Sequence, residues 1–138
     1  MSIVQTQTTS FKAQLYQGIH DLTTDVIKIA LYTANADLNA DTTVYSSDNE
    51  VSASGYTAGG EIMTGITVST SGSTAYVGFD NVSWNAAMTA RCALIYNSSK
   101  GNKSVAVLDF GSDKTSTGTF LITMPANTST TALIRSSN

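Results

Sequence analysis

A chain of 138 residues with 12% charged residues and a formal net charge of −3 has the size of one domain. It lacks the clustered Lys and Arg that grip phosphates, which excludes a nucleic-acid partner. Its single cysteine, Cys92, excludes an intrachain disulfide, and no apolar run approaches the length of a membrane span, so no membrane association is expected.

Residues 1–9 are polar and without period, with neither the basic residues nor the apolar run of a cleavable leader. They predict a flexible arm, drawn as 1–10, ahead of one β-sandwich domain over 11–138. Deleting 1–9 should then leave the melting midpoint nearly unchanged. Ser10 is a good helix N-cap, and Phe11, Leu15, Ile19 and Leu22 follow at helical spacing, predicting an amphipathic helix over 11–22. Gly18 weakens that helix by about 1 kcal/mol relative to Ala, so docking must hold it.

Residues 26–32 predict a strand with Ile27, Ile29 and Leu31 on one face and Lys28 on the other. Residues 34–54 carry Asn, Asp, Ser and Thr without a sustained period, and predict a long loop anchored by Tyr45. Loops of that length in compact domains are often contact elements. Residues 61–80 predict a hairpin turning at Ser71-Gly72, which sets Val68 opposite Ala75 and Ile66 opposite Val77. That register puts Ile66, Val68, Ala75, Val77 and Phe79 inward.

After Val82-Ser-Trp84 comes the segment around which the domain is expected to form. Residues 89–96 and 104–110 flank a polar loop containing Gly101, the pattern of a hairpin. Folded about Lys100, it pairs Ile95 with Val105, Ala93 with Val107, Cys92 with Leu108 and Arg91 with Asp109. Apolar side chains then lie on both faces, as a strand covered on both sides requires. Residues 119–124 form a further strand, ended by Pro125, and 131–135 a last one. Seven to eight short strands and one N-terminal helix predict an all-β, single-domain antiparallel β-sandwich, with a jelly roll as one arrangement of it.

No residue set earns a catalytic, cofactor-binding or metal-binding role. His20 is the only histidine, and it has neither a nucleophile nor a patterned acid beyond the nearby Asp21 and Asp25. Cys92 sits in an apolar strand with no sign of thiolate activation. Asp37-Leu-Asn39-Ala-Asp41 resembles the start of a calcium loop, but Thr42 stands where the turn needs Gly and Asp48 where a bidentate Glu belongs. Residues 55–60 are glycine-rich without the Lys-Ser/Thr of a phosphate cradle, which leaves a tight turn as their use. Ser47-Asp48-Asn49 and Lys114-Thr115-Ser116 echo β-lactamase fragments without the required Ser-x-x-Lys. Trp84 and Tyr56 are the rings available to stack a sugar, against the commoner use of a lone Trp as core. An enzyme is not expected.

The order of landmarks resembles a group of small virion structural proteins of tailed bacteriophages. It runs Phe11…Gly18, Lys28-Ile-Ala-Leu-Tyr-Thr33, Glu50…Gly55-Tyr-Thr-Ala-Gly-Gly60, Phe79…Trp84, Ala93-Leu-Ile-Tyr96, Asp109-Phe-Gly111 and Phe120-Leu-Ile-Thr-Met-Pro125. The resemblance spans residues 11–125 and brings no catalytic residues. It implies a non-enzymatic head decoration (cement) protein that binds the major capsid protein on the capsid surface. Such a protein is made in the host bacterial cytoplasm and acts as a homo-oligomer. It also admits a tail, neck or adaptor subunit of the same virion. A carbohydrate-binding host-recognition module is the alternative of a different class.

Overall fold

The computed structural model describes residues 3–137. Ten strands are described: β1 Thr6–Gln7, β2 Ile27–Tyr32, β3 Glu61–Ile62, β4 Thr67–Ser71, β5 Thr74–Gly78, β6 Val82–Trp84, β7 Thr89–Asn97, β8 Lys103–Thr115, β9 Phe120–Ile122 and β10 Ile134–Ser136. One helix, α1 Thr9–Tyr16, precedes β2. The strands form a five-stranded sheet in the order β1-β8-β7-β2-β3, a three-stranded sheet β10-β5-β4 and a ribbon β6-β9. All pair antiparallel, and the domain is the expected all-β sandwich. The two strands beyond the expected eight, β1 and β3, are two residues long and lie where no alternation marks them.

The central sheet is covered on both faces, as its two-sided apolar pattern demands. Ile27, Ile29, Leu31, Ala93, Ile95 and Leu108 face inward against Val77, Phe79, Trp84, Phe120 and Ile122. On the other face Ala30, Tyr32, Cys92, Leu94 and Val107 form a second core under Ala36, Leu38, Ile3 and Tyr45. Residues of the 34–54 loop are thus the lid of that face. Val51 N donates to Leu31 O (2.9 Å), Tyr45 N to Asn102 O (2.9 Å) and Thr33 N to Asn49 O (2.9 Å), which ties the loop to the chain's own sheet.

The central hairpin keeps the expected fold-over at its tip, with Asn97 opposite Lys103 and Tyr96 opposite Ser104. Past them the register shifts, and Ile95 meets Ala106, not Val105. Val105 is the extra residue of a bulge, which lets the consecutive Val105 and Ala106 both join the inner core. Arg91 still pairs with Asp109, although the Cα partner of Asp109 is Cys92. Between Cys92–Asp109 and Ala90–Lys114 the single residue Arg91 opposes residues 110–113, which protrude around Gly111 at φ 82°.

Beyond that protrusion one register carries from Ala90–Lys114 and Thr89–Thr115 to Trp84–Phe120 and Val82–Ile122. β6–β7 and β8–β9 are therefore the two arms of one long bent ribbon. At its corner Ser116 N donates to Met88 O (2.9 Å) and Ser116 Oγ to Ala86 O (2.6 Å).

Three expectations need correction. The helix is shorter than 11–22: Thr8, not Ser10, is the N-cap, accepting from Phe11 N, and Gly18 at φ 70° follows the C-cap Gln17. Of the expected apolar stripe, Phe11 is fully buried while Leu15 is exposed. The arm is part of the body from Ile3 onward. Ile3 bridges Leu38, Thr6 and Gln7 pair with Val107 and Ala106, and Thr8 is buried with its Oγ1 2.9 Å from Ser104 Oγ. Residues 1 and 2 of that arm, and residue 138, lie outside the described residues. The β4–β5 turn is Gly72-Ser73, with Ser71 opposite Thr74 and Val68 opposite Val77. Gly72 takes φ 59°, which a two-residue turn with Gly at its first position uses and a β-carbon resists. Val77 and Phe79 point inward as expected, whereas Val68 and Ala75 are exposed.

Candidate functional site: the Glu50 clasp and the edge groove

Glu50 is the hub of a clasp that joins loop to sheet. Its Oε1 accepts from Tyr45 Oη (2.5 Å), and its Oε2 accepts from Tyr56 Oη and from Gly59 N (2.8 Å). Tyr56 Oη in turn accepts from Leu31 N (2.9 Å), and Tyr96 Oη donates to Gly59 O (2.6 Å). Tyr45 stacks on Tyr96 with ring centroids 4.7 Å apart. Burial pushes the phenol of Tyr96 up to about 12, with the Glu50 charge adding to the effect. Burial first, then the Glu50 carboxylate, also raises Tyr45 and Tyr56, so all three remain donors at neutral pH. Gly60, at φ 81°, allows this close approach, because a β-carbon there would lie 1.8 Å from Ile29 O. The glycine-rich turn 55–60 is thus a backbone contact, as its composition suggested.

A second polar cluster closes the tip of the central hairpin. Asn97, fully buried, donates from Nδ2 to Asp25 Oδ2 (2.7 Å) and to His20 Nδ1 (3.0 Å). Its Oδ1 accepts from Ser99 N (3.1 Å), which fixes the orientation of the amide. His20 therefore accepts at Nδ1 and donates from Nε2 to Gln14 Oε1 (2.8 Å), the pattern of a neutral ring. Burial lowers its pKa, and Asp25 opposes that shift in part. Asp25 also holds Lys100 Nζ at 2.8 Å. Burial works against its ionisation, yet hydrogen bonds from Asn97, Lys100 and the Asp21 N–H bring its pKa down to about 2. These groups are committed to one another, and no nucleophile stands beside His20 among its hydrogen-bond partners.

The other weighed residues are placed apart. Cys92 is fully buried in the outer core, and burial raises its thiol to about 12. In the 37–41 loop Asn39 Nδ2 donates to Asp37 Oδ1 (3.2 Å) and Asn39 Oδ1 accepts from Asp41 N (2.9 Å). Among the described residues no group of three His, Cys, Asp or Glu stands close enough to hold a metal ion. Trp84 and Tyr56 lie 6.2 Å apart between ring centroids, but they are only 2% and 9% exposed. Both rings are part of the core, the use favoured for Trp84 over a sugar-stacking platform. Among the described residues no helix is long and apolar enough to cross a membrane.

A concavity lies elsewhere, inside the bend of the long ribbon. It has a volume of about 790 Å³, with Leu108, Phe110 and Lys114 on the β8 side and 119–125 on the β9 side. Phe110 and Phe120, 6.2 Å apart between centroids, meet at its floor. Sequence reading missed both this groove and the Glu50 hub. Glu50 had a trace, its place in the landmark order. The groove had none, since its walls at 108–116 and 119–125 are brought together with Gln5 and Leu133 by the tertiary fold, which no local pattern records.

No family model matches the chain, and no curated protein or solved structure matches it either.

Proposed function

We propose that this protein is a non-enzymatic structural subunit of a tailed-bacteriophage virion, a head decoration (cement) protein that binds the major capsid protein and acts as a small homo-oligomer on the capsid surface. The observation that carries the reading is where its landmark residues go. Lys28–Thr33, Glu50, Gly55–Gly60 and Ala93–Tyr96 are separate in sequence, and they meet in the clasp over the central sheet. Their chemistry is spent on holding a loop to a sheet, not on a substrate. A rigid, double-covered sheet suits a subunit whose task is to transmit load between neighbours, and many weak contacts repeated across a shell sum by avidity.

The test is the position and copy number of this protein in images of intact particles. A shell-wide copy number on the capsid supports the decoration role. A ring-sized count at the neck or tail replaces it with the adaptor role, and absence from particles overturns both.

A further inference from the structure

The groove wall at 119–125 is made of consecutive residues. Successive side chains of a strand point to opposite faces, so a wall that includes every residue in turn is a strand edge with its main chain exposed to the groove. β9 pairs with β6 on its other side, so this edge has no strand partner among the described residues. β8 has β7 as its one strand partner beyond Val107 among the described residues, with Gln5 Oε1 accepting from Asp109 N (3.0 Å) and Asp109 Oδ1 from Gly111 N (2.8 Å) on that stretch. Along this wall Met124 N donates to Asn81 Oδ1 (2.7 Å) and Pro125 has no N–H, so the open strand edge is that of β9, Phe120–Ile122, beside an apolar floor of Phe110, Phe120, Ile122 and Met124. Lys114 is the one charged side chain of the lining.

We propose that this groove receives an extended segment of another protein, added as a strand along the β9 edge. Alternate aliphatic side chains of the segment fill the floor, and an acidic residue at one end meets Lys114. An extended peptide is the occupant whose own amides match an open strand edge, with side-chain specificity set at every second position. A small polar ligand would need several convergent charged or polar side chains, and Lys114 alone does not supply them. The described terminal segments of a second copy are poor donors, because they are engaged in their own fold. Ile3 and Val4 are bridged and hydrogen-bonded to Leu38, and β10 is paired with β5. The inference concerns the groove alone and holds whichever assembly the protein serves.

The test uses the full chain in solution and a set of seven-residue synthetic peptides that alternate Val, Ile or Leu with Thr and end in Asp. Saturable binding with slowed amide exchange confined to 119–125 and its neighbours is expected. At least tenfold weakening should follow when the best peptide is N-methylated at alternate residues, which removes its strand donors. A Lys114→Glu variant, altered at an exposed side chain, should weaken the Asp-ending peptide several-fold and spare one ending in Lys. Absence of protection with every peptide overturns the proposal. So does equal binding by the N-methylated form, which would mark a merely greasy cleft.

Discussion

Glu50 receives three hydrogen bonds from groups that have no equivalent partner if it is lost. Buried donors left unpaired cost more than the bond was worth, so Glu50→Ala should destabilise the fold by about 1.5–3 kcal/mol. Chemical denaturation measures the loss, and amide exchange in 33–60 should quicken with it. A variant as stable as the parent would show the clasp to be incidental. The His20–Asn97–Asp25 cluster has a predictable pH response. His20 has a lowered pKa in the fold, so below its ordinary 6.5 the unfolded chain binds the extra proton first, and stability falls with pH in that range. Asp25, near 2 in the fold against an ordinary 3.8, contributes stability that is full above about 4 and is lost as pH drops toward 2. Denaturation midpoints against pH should show both steps, and His20→Gln should remove only the upper one. A midpoint flat from pH 7 to 5 would contradict the neutral ring.

The N-terminal segment shows how an element can hide from its own sequence. Thr-Gln-Thr-Thr-Ser at 6–10 has no apolar alternation, yet Thr6 and Gln7 extend the sheet edge and Thr8 caps α1 from a buried position. Thr8 Oγ1 serves two ends at once, accepting from Phe11 N and lying 2.9 Å from Ser104 Oγ, whose hydroxyl reaches Thr42 O at 2.7 Å. Thr8→Ala should therefore cost about 0.5–2 kcal/mol, the range for losing an N-cap. Deletion of 1–9 should lower the melting midpoint by several degrees, contrary to the polar-arm expectation. An unchanged midpoint in the truncated chain would return the segment to the status of an appendage. β2 and the tip of the central hairpin were legible because their apolar residues obey the period of a strand and their Gly101 takes the left-handed conformation that the turn after Ser98–Lys100 needs. The bulge at Val105 was not, because two adjacent buried residues look alike whether they face one way or opposite ways.

At the scale of the whole molecule, composition and two-sided apolar strands were enough to require a single β domain whose middle sheet is covered on both faces. That follows from local chemistry alone, since Ile27, Leu94, Ile95 and Val107 can avoid water only there. What covers the sheet was a tertiary outcome. One lid is the polar 34–54 loop, of whose apolar residues Ala36, Leu38 and Tyr45 fall on the outer core while Val51 joins the inner one, with Glu50 fastening the chain between them. The other is the three-stranded sheet together with the bent ribbon of β6 and β9, where β9 has β6 as its one strand partner among the described residues and a groove opens beside it. Alternation within a strand reports which side chains seek the interior. It carries no record of how far apart two strands stop pairing or where a ribbon turns, because those are set by contacts between residues remote along the chain.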